Sequence, residues 1–342
     1  MKKIRTALVG FGSVGEKMHA PLISVCEDLE LVAVVERNQE RSKEKYPKIQ
    51  IFKSLEALLE ADAADLIVIV TPNEFHFPYA MMALEAGKHV VVDKPVTVQA
   101  SEAKILHQLA QDKGLLLSVF QNRRWDGDIQ TIQKLLHEGT LGRVVHFESH
   151  FDRFRPQLAD NWREKDVPGN GITYDLGTHL IDQTVMLFGK PKWVYAEILK
   201  QRKGAIADDF FDITLMYNGM KARLTASIMV NAPLPKFLVL GEKGSYVKYG
   251  LDVQEKAFKA GEKPEGPNWG IENSEAWGSL HLDNVSNSYP TERGDYRRFY
   301  QNVADTIQGQ ASLKVKMEEA ILVLEIIEAA FLSHQEGKRI SL

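Results

Sequence analysis

A lysine closes the apolar run His89-Val90-Val91-Val92-Asp93-Lys94-Pro95. An ammonium group at the carboxyl end of a buried parallel strand points into the crevice where open α/β sheets hold their ligands. There it can hydrogen-bond a substrate oxygen and stabilise negative charge developing on it. A second pair is Asp175 and His179 in Thr173-Tyr174-Asp175-Leu176-Gly177-Thr178-His179. Four residues apart on a helix, the carboxylate and imidazole share one face. Imidazole is the usual side chain for moving a proton near neutral pH, and a carboxylate one turn away can orient the ring or bind substrate. The same spacing also suits a surface or capping pair, or two metal ligands. No third ligand is evident nearby in the sequence, so no metal is expected. Gly169 and Gly171 allow the start of this helix to approach a ligand closely.

The third chemical signal is Gly10-Phe11-Gly12-Ser13-Val14-Gly15, directly after an apolar strand. Gly10 suits the tight turn, Gly12 the close approach of backbone to a pyrophosphate, and Gly15 helix–strand packing. The pyrophosphate would rest on the positive end of the following helix. Glu36 ends the second strand, where an acidic side chain accepts from the adenosine ribose hydroxyls. That favours NAD, while Arg37 and Arg41 offer the alternative of holding the 2′-phosphate of NADP. Thr71-Pro72-Asn73, with His76 three residues on, lies at the same edge of the sheet. Thr71 and Asn73 serve either the ribose and nicotinamide or plain turn and capping duty, and His76 reads as structural.

The elements that must position these groups follow from hydropathy. Apolar runs at Ile4–Val9, Leu31–Val35, Ile49–Phe52, Leu66–Val70, His89–Val92 and Leu115–Phe120 lack alternation. They read as parallel strands buried on both faces. Helical patterns over 13–27, 39–46, 55–60, 75–86 and 99–113 intervene. Alternating βα units give a doubly wound sheet with right-handed crossovers. After Gln121 the pattern changes. Helices are expected over 127–138 and 173–188, the latter stopped at Gly189-Lys190-Pro191. Strands are expected over 143–151, 192–201, 210–217, 221–230, 236–241 and 245–249, with Tyr217-Asn218-Gly219 marking a hairpin. Residues 252–290 show little periodicity and read as a long excursion, and helices over 295–308 and 316–334 follow. The expected organisation is a dinucleotide-binding domain over 1–122 and an α+β domain over 123–342 with a mostly antiparallel sheet, the terminal helix packing back on the first domain.

Composition bounds the function. A chain of 342 residues with 44% hydrophobic and 26% charged residues is long enough for about two globular domains. Its formal net charge of −4 carries no footprint for nucleic acid or anionic membrane. No apolar run approaches the roughly 18 residues of a spanning helix. The lone Cys26 rules out an intrachain disulfide or a multi-cysteine metal site. Cytoplasmic residence is the default expectation.

The glycine fingerprint, Asp93-Lys94-Pro95 and Asp175-x-x-x-His179, in this order, resemble the glucose–fructose oxidoreductase / inositol dehydrogenase / MocA (Gfo/Idh/MocA) family over essentially the whole chain. The segments Phe120–Asp126, His150–Pro156 and Asn161–Glu164 resemble its bacterial scyllo-inositol dehydrogenase branch. The resemblance implies hydride transfer between NAD (or NADP) and a secondary alcohol of a cyclic polyol, with Lys94, Asp175 and His179 as catalytic residues. It also implies a cis Lys94–Pro95 bond and a homodimer or homotetramer built through the C-terminal sheet. Asp93 stands where the family usually has Glu, keeping the charge with a shorter reach. The expected cofactor contacts are Gly10–Gly15, Glu36, Arg37, Thr71, Pro72, Asn73, His76, Asp93, Lys94 and Asn122. Arg123, Trp125, Arg153, Arg155, Trp162 and Arg163 are polyol-pocket candidates, since guanidinium and indole donors beside an apolar ring suit hydroxyls and CH faces together. Two alternatives remain: a dehydrogenase or reductase of another sugar, such as an aldose, and a non-catalytic sensor of cofactor and sugar.

Overall fold

The computed structural model describes residues 2–158, 164–165 and 167–342. The chain divides into two compact units. The first comprises Met1–Asn122, Gln254–Trp269 and Asp295–Ile321; the second comprises Arg123–Val253, Gly270–Gly294 and Leu322–Leu342.

In the first unit, β1 (Ile4–Val9), β2 (Leu29–Val35), β3 (Gln50–Phe52), β4 (Leu66–Ile69), β5 (His89–Val92) and β6 (Leu117–Val119) form one parallel sheet. Its order, β3-β2-β1-β4-β5-β6, is that of a Rossmann doubly wound fold. Every residue of β4 is buried, as are Val90–Val92, because crossover helices cover both faces. The crossovers carry α1 (Ala20–Val25), α2 (Arg41–Lys45), α3 (Leu55–Glu60), α4 (His76–Glu85) and α5 (Ala100–Asp112). The helix expected over 13–27 is not one α-helix. Gly15–His19 is a π-helical turn, and α1 begins only at Ala20. Pro21 in the first turn of α1 has no N–H to give, and the Ala20 N–H bonds back five residues to the Gly15 carbonyl.

The second unit is built on a nine-stranded sheet of order β14-β13-β12-β11-β7-β10-β9-β8-β15. Its strands are β7 (Val144–His150), β8 (Trp193–Leu199), β9 (Phe210–Met216), β10 (Lys221–Ser227), β11 (Phe237–Gly241), β12 (Gly244–Lys248), β13 (Gly278–Leu282), β14 (Val285–Tyr289) and β15 (Ile340–Ser341). All pairs are antiparallel except β7 with β10. The expected hairpin at Tyr217–Gly219 joins β9 to β10, with Gly219 at φ +68°. One sheet face packs on α6 (Gly127–His137), α7 (Thr178–Phe188) and the helix Met317–Glu336 through Ile132, Phe147, Ile181, Phe211, Leu224 and Ile326. The helix expected over 173–188 also opens with a π-helical turn, Thr173–Gly177.

Residues 252–290 are more regular than their sequence pattern. They hold the helix Val253–Ala260 and the hairpin β13–β14. Asp283 and Asn284, both at positive φ (49° and 63°), form its two-residue turn. The solvent-exposed Val285-Ser286-Asn287-Ser288 of β14 carries no apolar alternation, which is why the strand is silent in the sequence. In the first unit, the Gln254 side-chain oxygen accepts from the Trp269 indole at 3.0 Å and from the Tyr296 amide at 2.9 Å, tying this excursion to the chain around the helix Arg297–Ile307.

Candidate active site

The glycine fingerprint has the geometry its spacing implies. Gly10 sits at φ +101°, and a Cβ there would meet the Val70 carbonyl oxygen at 2.4 Å. A Cβ on Gly15 would meet the Gly10 oxygen at 2.4 Å, whereas one on Gly12 would meet nothing within 4 Å. The loop is thus closed on its inner side and open at Gly12, the position where a pyrophosphate must approach. Further along the sheet, the Thr71 hydroxyl and the Gln121 side-chain oxygen are buried with no hydrogen-bond partner among the described residues. Both follow carboxyl ends of strands, β4 and β6. A glycine cradle beside unsatisfied polar groups fits a dinucleotide.

Glu36 is buried, and its Oε2 accepts from the Ser42 amide at 3.0 Å and from the Ser42 hydroxyl. It therefore caps the first turn of α2. The Arg41 guanidinium donates to the Phe11 carbonyl at 2.9 Å, and Arg37 lies 6.0 Å from the Phe75 ring centre. Two cations thus flank the expected adenosine end, one of them bonded to the glycine loop itself.

At the end of β5, the Lys94–Pro95 peptide is cis, as the resemblance implies. Asp93 Oδ1 accepts from the Lys94 amide at 2.8 Å. The buried His76 faces the Pro95 oxygen with Nδ1 at 2.7 Å and the Thr71 oxygen with Nε2 at 2.9 Å. Burial, the largest influence, pushes its pKa down, so the ring is neutral and donates to one of these carbonyls. His76 thereby joins the loop after β4 to the loop after β5, which gives the structural role read for it in the sequence its partners. Asn122 is buried, with its amide 3.9 Å from the Met18 sulfur in the π-helical turn.

In the second unit, Asp175 lies in the π-helical turn and His179 in the first turn of α7. Asp175 is half-buried and His179 buried. Asp208 fixes where this helix starts: its carboxylate accepts from the Thr173 amide at 2.8 Å and hydroxyl at 2.7 Å, and its main-chain oxygen from Ile172. Burial raises the Asp208 pKa. Gly171, at φ +86°, leaves room for it, since a Cβ there would lie 1.9 Å from Oδ1. Nothing in the sequence pointed to Asp208, which is 35 residues from Thr173.

The turn Asn122–Trp125 is pinned to α7. Arg124 grips Asp182 through two bonds of 2.8 and 2.5 Å, and the Gln183 amide donates to the Arg123 oxygen at 2.9 Å. Arg123 and Arg153 stand over the Phe151 ring at 4.8 and 4.9 Å. Trp125 is buried. Beneath them, Lys236 bridges Asp126 and Asp128 at 3.1 and 2.6 Å, and Arg123 reaches Asp126 at 3.5 Å. The structure thus groups Arg123, Arg153 and Phe151, and fastens Arg123 and Arg124 to the helix that carries His179. Trp162 and Arg163 lie outside the described residues. Among the described residues no cluster of His, Cys, Asp and Glu side chains is set to hold a metal. Nor, among the described residues, is any helix long and apolar enough to cross a membrane. A cavity of about 610 Å³ opens on the sheet, lined by His150, Asp152, Arg223, Ser227, Met229 and Leu234 among others; no expected site residue lines it.

Comparison with known proteins agrees with this architecture. Residues 4–121 match the family described as "Oxidoreductase family, NAD-binding Rossmann fold", and residues 133–342 match its "C-terminal alpha/beta domain". The chain belongs to the Gfo/Idh/MocA oxidoreductase family. It is 38% identical to a scyllo-inositol 2-dehydrogenase (NADP(+)) of Bacillus subtilis over 99% of this chain and 96% of the relative. It is 42% identical to the uncharacterised oxidoreductase YdgJ of Escherichia coli over 95% and 94% of the two chains. The solved structure of the oxidoreductase yvaA from Bacillus subtilis superposes with a TM-score of 0.97, at 38% identity, covering 100% of this chain and 99% of that one. This chain is thus an NAD(P)-dependent oxidoreductase consistent with action on CH–OH groups.

Proposed function

We propose that the enzyme interconverts a secondary alcohol and ketone of a cyclic polyol, with scyllo-inositol as the leading substrate. The observation that carries this reading is Lys94 at the carboxyl end of β5, held by Asp93 and a Pro95 fixed by His76, in a sheet whose glycine loop is open at Gly12. When bound, the nicotinamide supplies hydride acceptance or donation, and the protein supplies alignment and charge. The Lys94 ammonium donates to the reacting oxygen and stabilises its developing negative charge. His179 takes the hydroxyl proton in oxidation and returns it in reduction, with Asp175 orienting substrate or ring. Arg123 and Arg153 on the two-cation Phe151 platform, with Trp125, present donors beside apolar ring surface, which suits a polyol. The Bacillus subtilis relative's action on scyllo-inositol supports the substrate class. A panel of inositols and aldoses assayed with both coenzymes tests it. Scyllo-inositol should give the highest kcat/KM; preference for an aldose would move the reading to the sugar alternative, and coenzyme binding without any turnover to the sensor alternative.

For the coenzyme we favour NADP(H) over the NAD first suggested by Glu36. Glu36 directs Oε2 to Ser42, and Arg37 and Arg41 supply the cations that a 2′-phosphate requires. The relative's use of NADP(+) points the same way. We also propose that a second copy of the chain covers the exposed sheet face, which carries Tyr195, Leu199 and Met229 at 37–42% exposure. Sedimentation equilibrium reads this directly: a dimer or tetramer supports it, and a monomer at micromolar concentration removes it.

A further inference from the structure

We propose that Tyr300 and His19 are positioning residues that act through Asp93 on Lys94. The proposal rests on reading Lys94 as the donor to the reacting oxygen, and it names the interior chain that aims it.

All four groups belong to the first unit. His19 is fully buried in the π-helical turn that follows the glycine fingerprint. Its Nδ1 lies 2.6 Å from the hydroxyl of Tyr300, a fully buried residue of the helix Arg297–Ile307, 281 positions away. Its Nε2 lies 3.9 Å from Asp93 Oδ1 and has no hydrogen-bond partner among the described residues. Phe120 lies against the imidazole, tilted by 47° with 4.2 Å between ring centres, and Phe299 meets Phe120 edge-on at 4.9 Å, so aromatic packing restrains the ring.

The chemistry assigns the protons. Burial raises the Tyr300 phenol pKa well above its ordinary value, so its hydroxyl keeps its hydrogen. Burial alone would raise Asp93, but His19 first, then Lys94 and His76, bring it below the usual carboxylate range, and it is an anion. A carboxylate only accepts, so it selects the imidazole tautomer with hydrogen on Nε2. Nδ1 is then the acceptor for the Tyr300 hydroxyl. The sequence of donors runs Tyr300 O–H to His19 Nδ1, His19 Nε2–H toward Asp93, and Lys94 N–H to Asp93 Oδ1. At 3.9 Å the middle link is longer than a hydrogen bond, a contact between the Nε2–H dipole and the carboxylate charge. It holds the carboxylate electrostatically from the interior while the carboxylate fixes the first atom of Lys94. This arrangement suits the short side chain at 93: Asp93 is held from behind rather than reaching outward.

The test uses the full-length protein with ring-¹⁵N-labelled histidine. His19 should carry its proton on Nε2 in the parent, redistribute toward the other tautomer in Tyr300→Phe, and shift in Asp93→Asn. In parallel, scyllo-inositol oxidation with NADP+ should show kcat reduced about tenfold in Tyr300→Phe, equivalent to about 1.4 kcal/mol in the barrier, with NADPH affinity and KM nearly unchanged. His19→Gln, which keeps an N–H for Asp93, should retain more turnover than His19→Leu. A proton on Nδ1 in the parent, or parental kcat in Tyr300→Phe, overturns the proposal, and Tyr300→Phe decides it if His19→Leu does not fold. The tautomer is read without turnover, so failure of the substrate assignment leaves this arm intact.

Discussion

Glu36 ends β2 with one carboxylate oxygen on the Ser42 amide, while Arg41 reaches back to the Phe11 carbonyl. An acidic residue after the second strand is legible in the sequence; which way it turns is not, because that depends on a helix of five residues that begins at Arg41. His76 reads as structural in the sequence, but the two loops that it brackets are not legible there. Local motifs exposed the glycines, Lys94 and His179. Partners distant in sequence, such as Asp208 for Thr173 and Tyr300 for His19, have no local signature. The coenzyme assignment is tested at this scale. Arg41→Ala should weaken NADPH binding about 10–100-fold, from losing a charged contact of roughly 1.5–3 kcal/mol, and leave NADH binding far less changed. A fluorescence titration measures both; equal loss for the two coenzymes would mean that Arg41 only braces the glycine loop.

Two π-helical turns carry candidate residues, Gly15–His19 in one unit and Thr173–Gly177 in the other. Periodicity revealed helices at both places but not the widened turn, since a single altered hydrogen bond barely disturbs an apolar pattern. Gly171 should be sensitive. Gly171→Ala demands both a positive φ from alanine and displacement of Asp208. We expect a loss of about 1–3 kcal/mol in chemical denaturation and lower turnover, as the turn bearing Asp175 shifts. On β7, alternate residues His146, Glu148 and His150 form a polar row, and Asp152 continues it. Burial lowers the His150 pKa, but the Asp152 hydrogen bond and charge, with Glu148, raise it overall. A raised folded pKa contributes stability that is complete below the unfolded value near 6.5 and is lost as pH rises through the folded value. The Tm deficit of His150→Gln should therefore be larger at pH 6 than at pH 9. A deficit independent of pH would show that His150 acts by packing alone.

At the scale of the molecule, buried apolar strands and crossover helices made the Rossmann unit legible almost strand by strand. Six strands of the nine-stranded sheet were legible; β13 and β14 lie in the stretch read as an excursion, where β14 is polar, and β15 has only two residues. Return of the segments Gln254–Trp269 and Asp295–Ile321 to the first unit is decided by contacts such as those of Gln254 and Tyr300, which only the folded chain brings together. Lys94 belongs to the first unit and His179 to the second. The most direct measurement of the account is steady-state turnover of scyllo-inositol with NADP+ by the parent and Lys94→Ala, alongside NADPH affinity for each. The parent should turn over scyllo-inositol, and Lys94→Ala should lose at least about a hundredfold in kcat with little change in coenzyme affinity. Turnover retained in Lys94→Ala would contradict it.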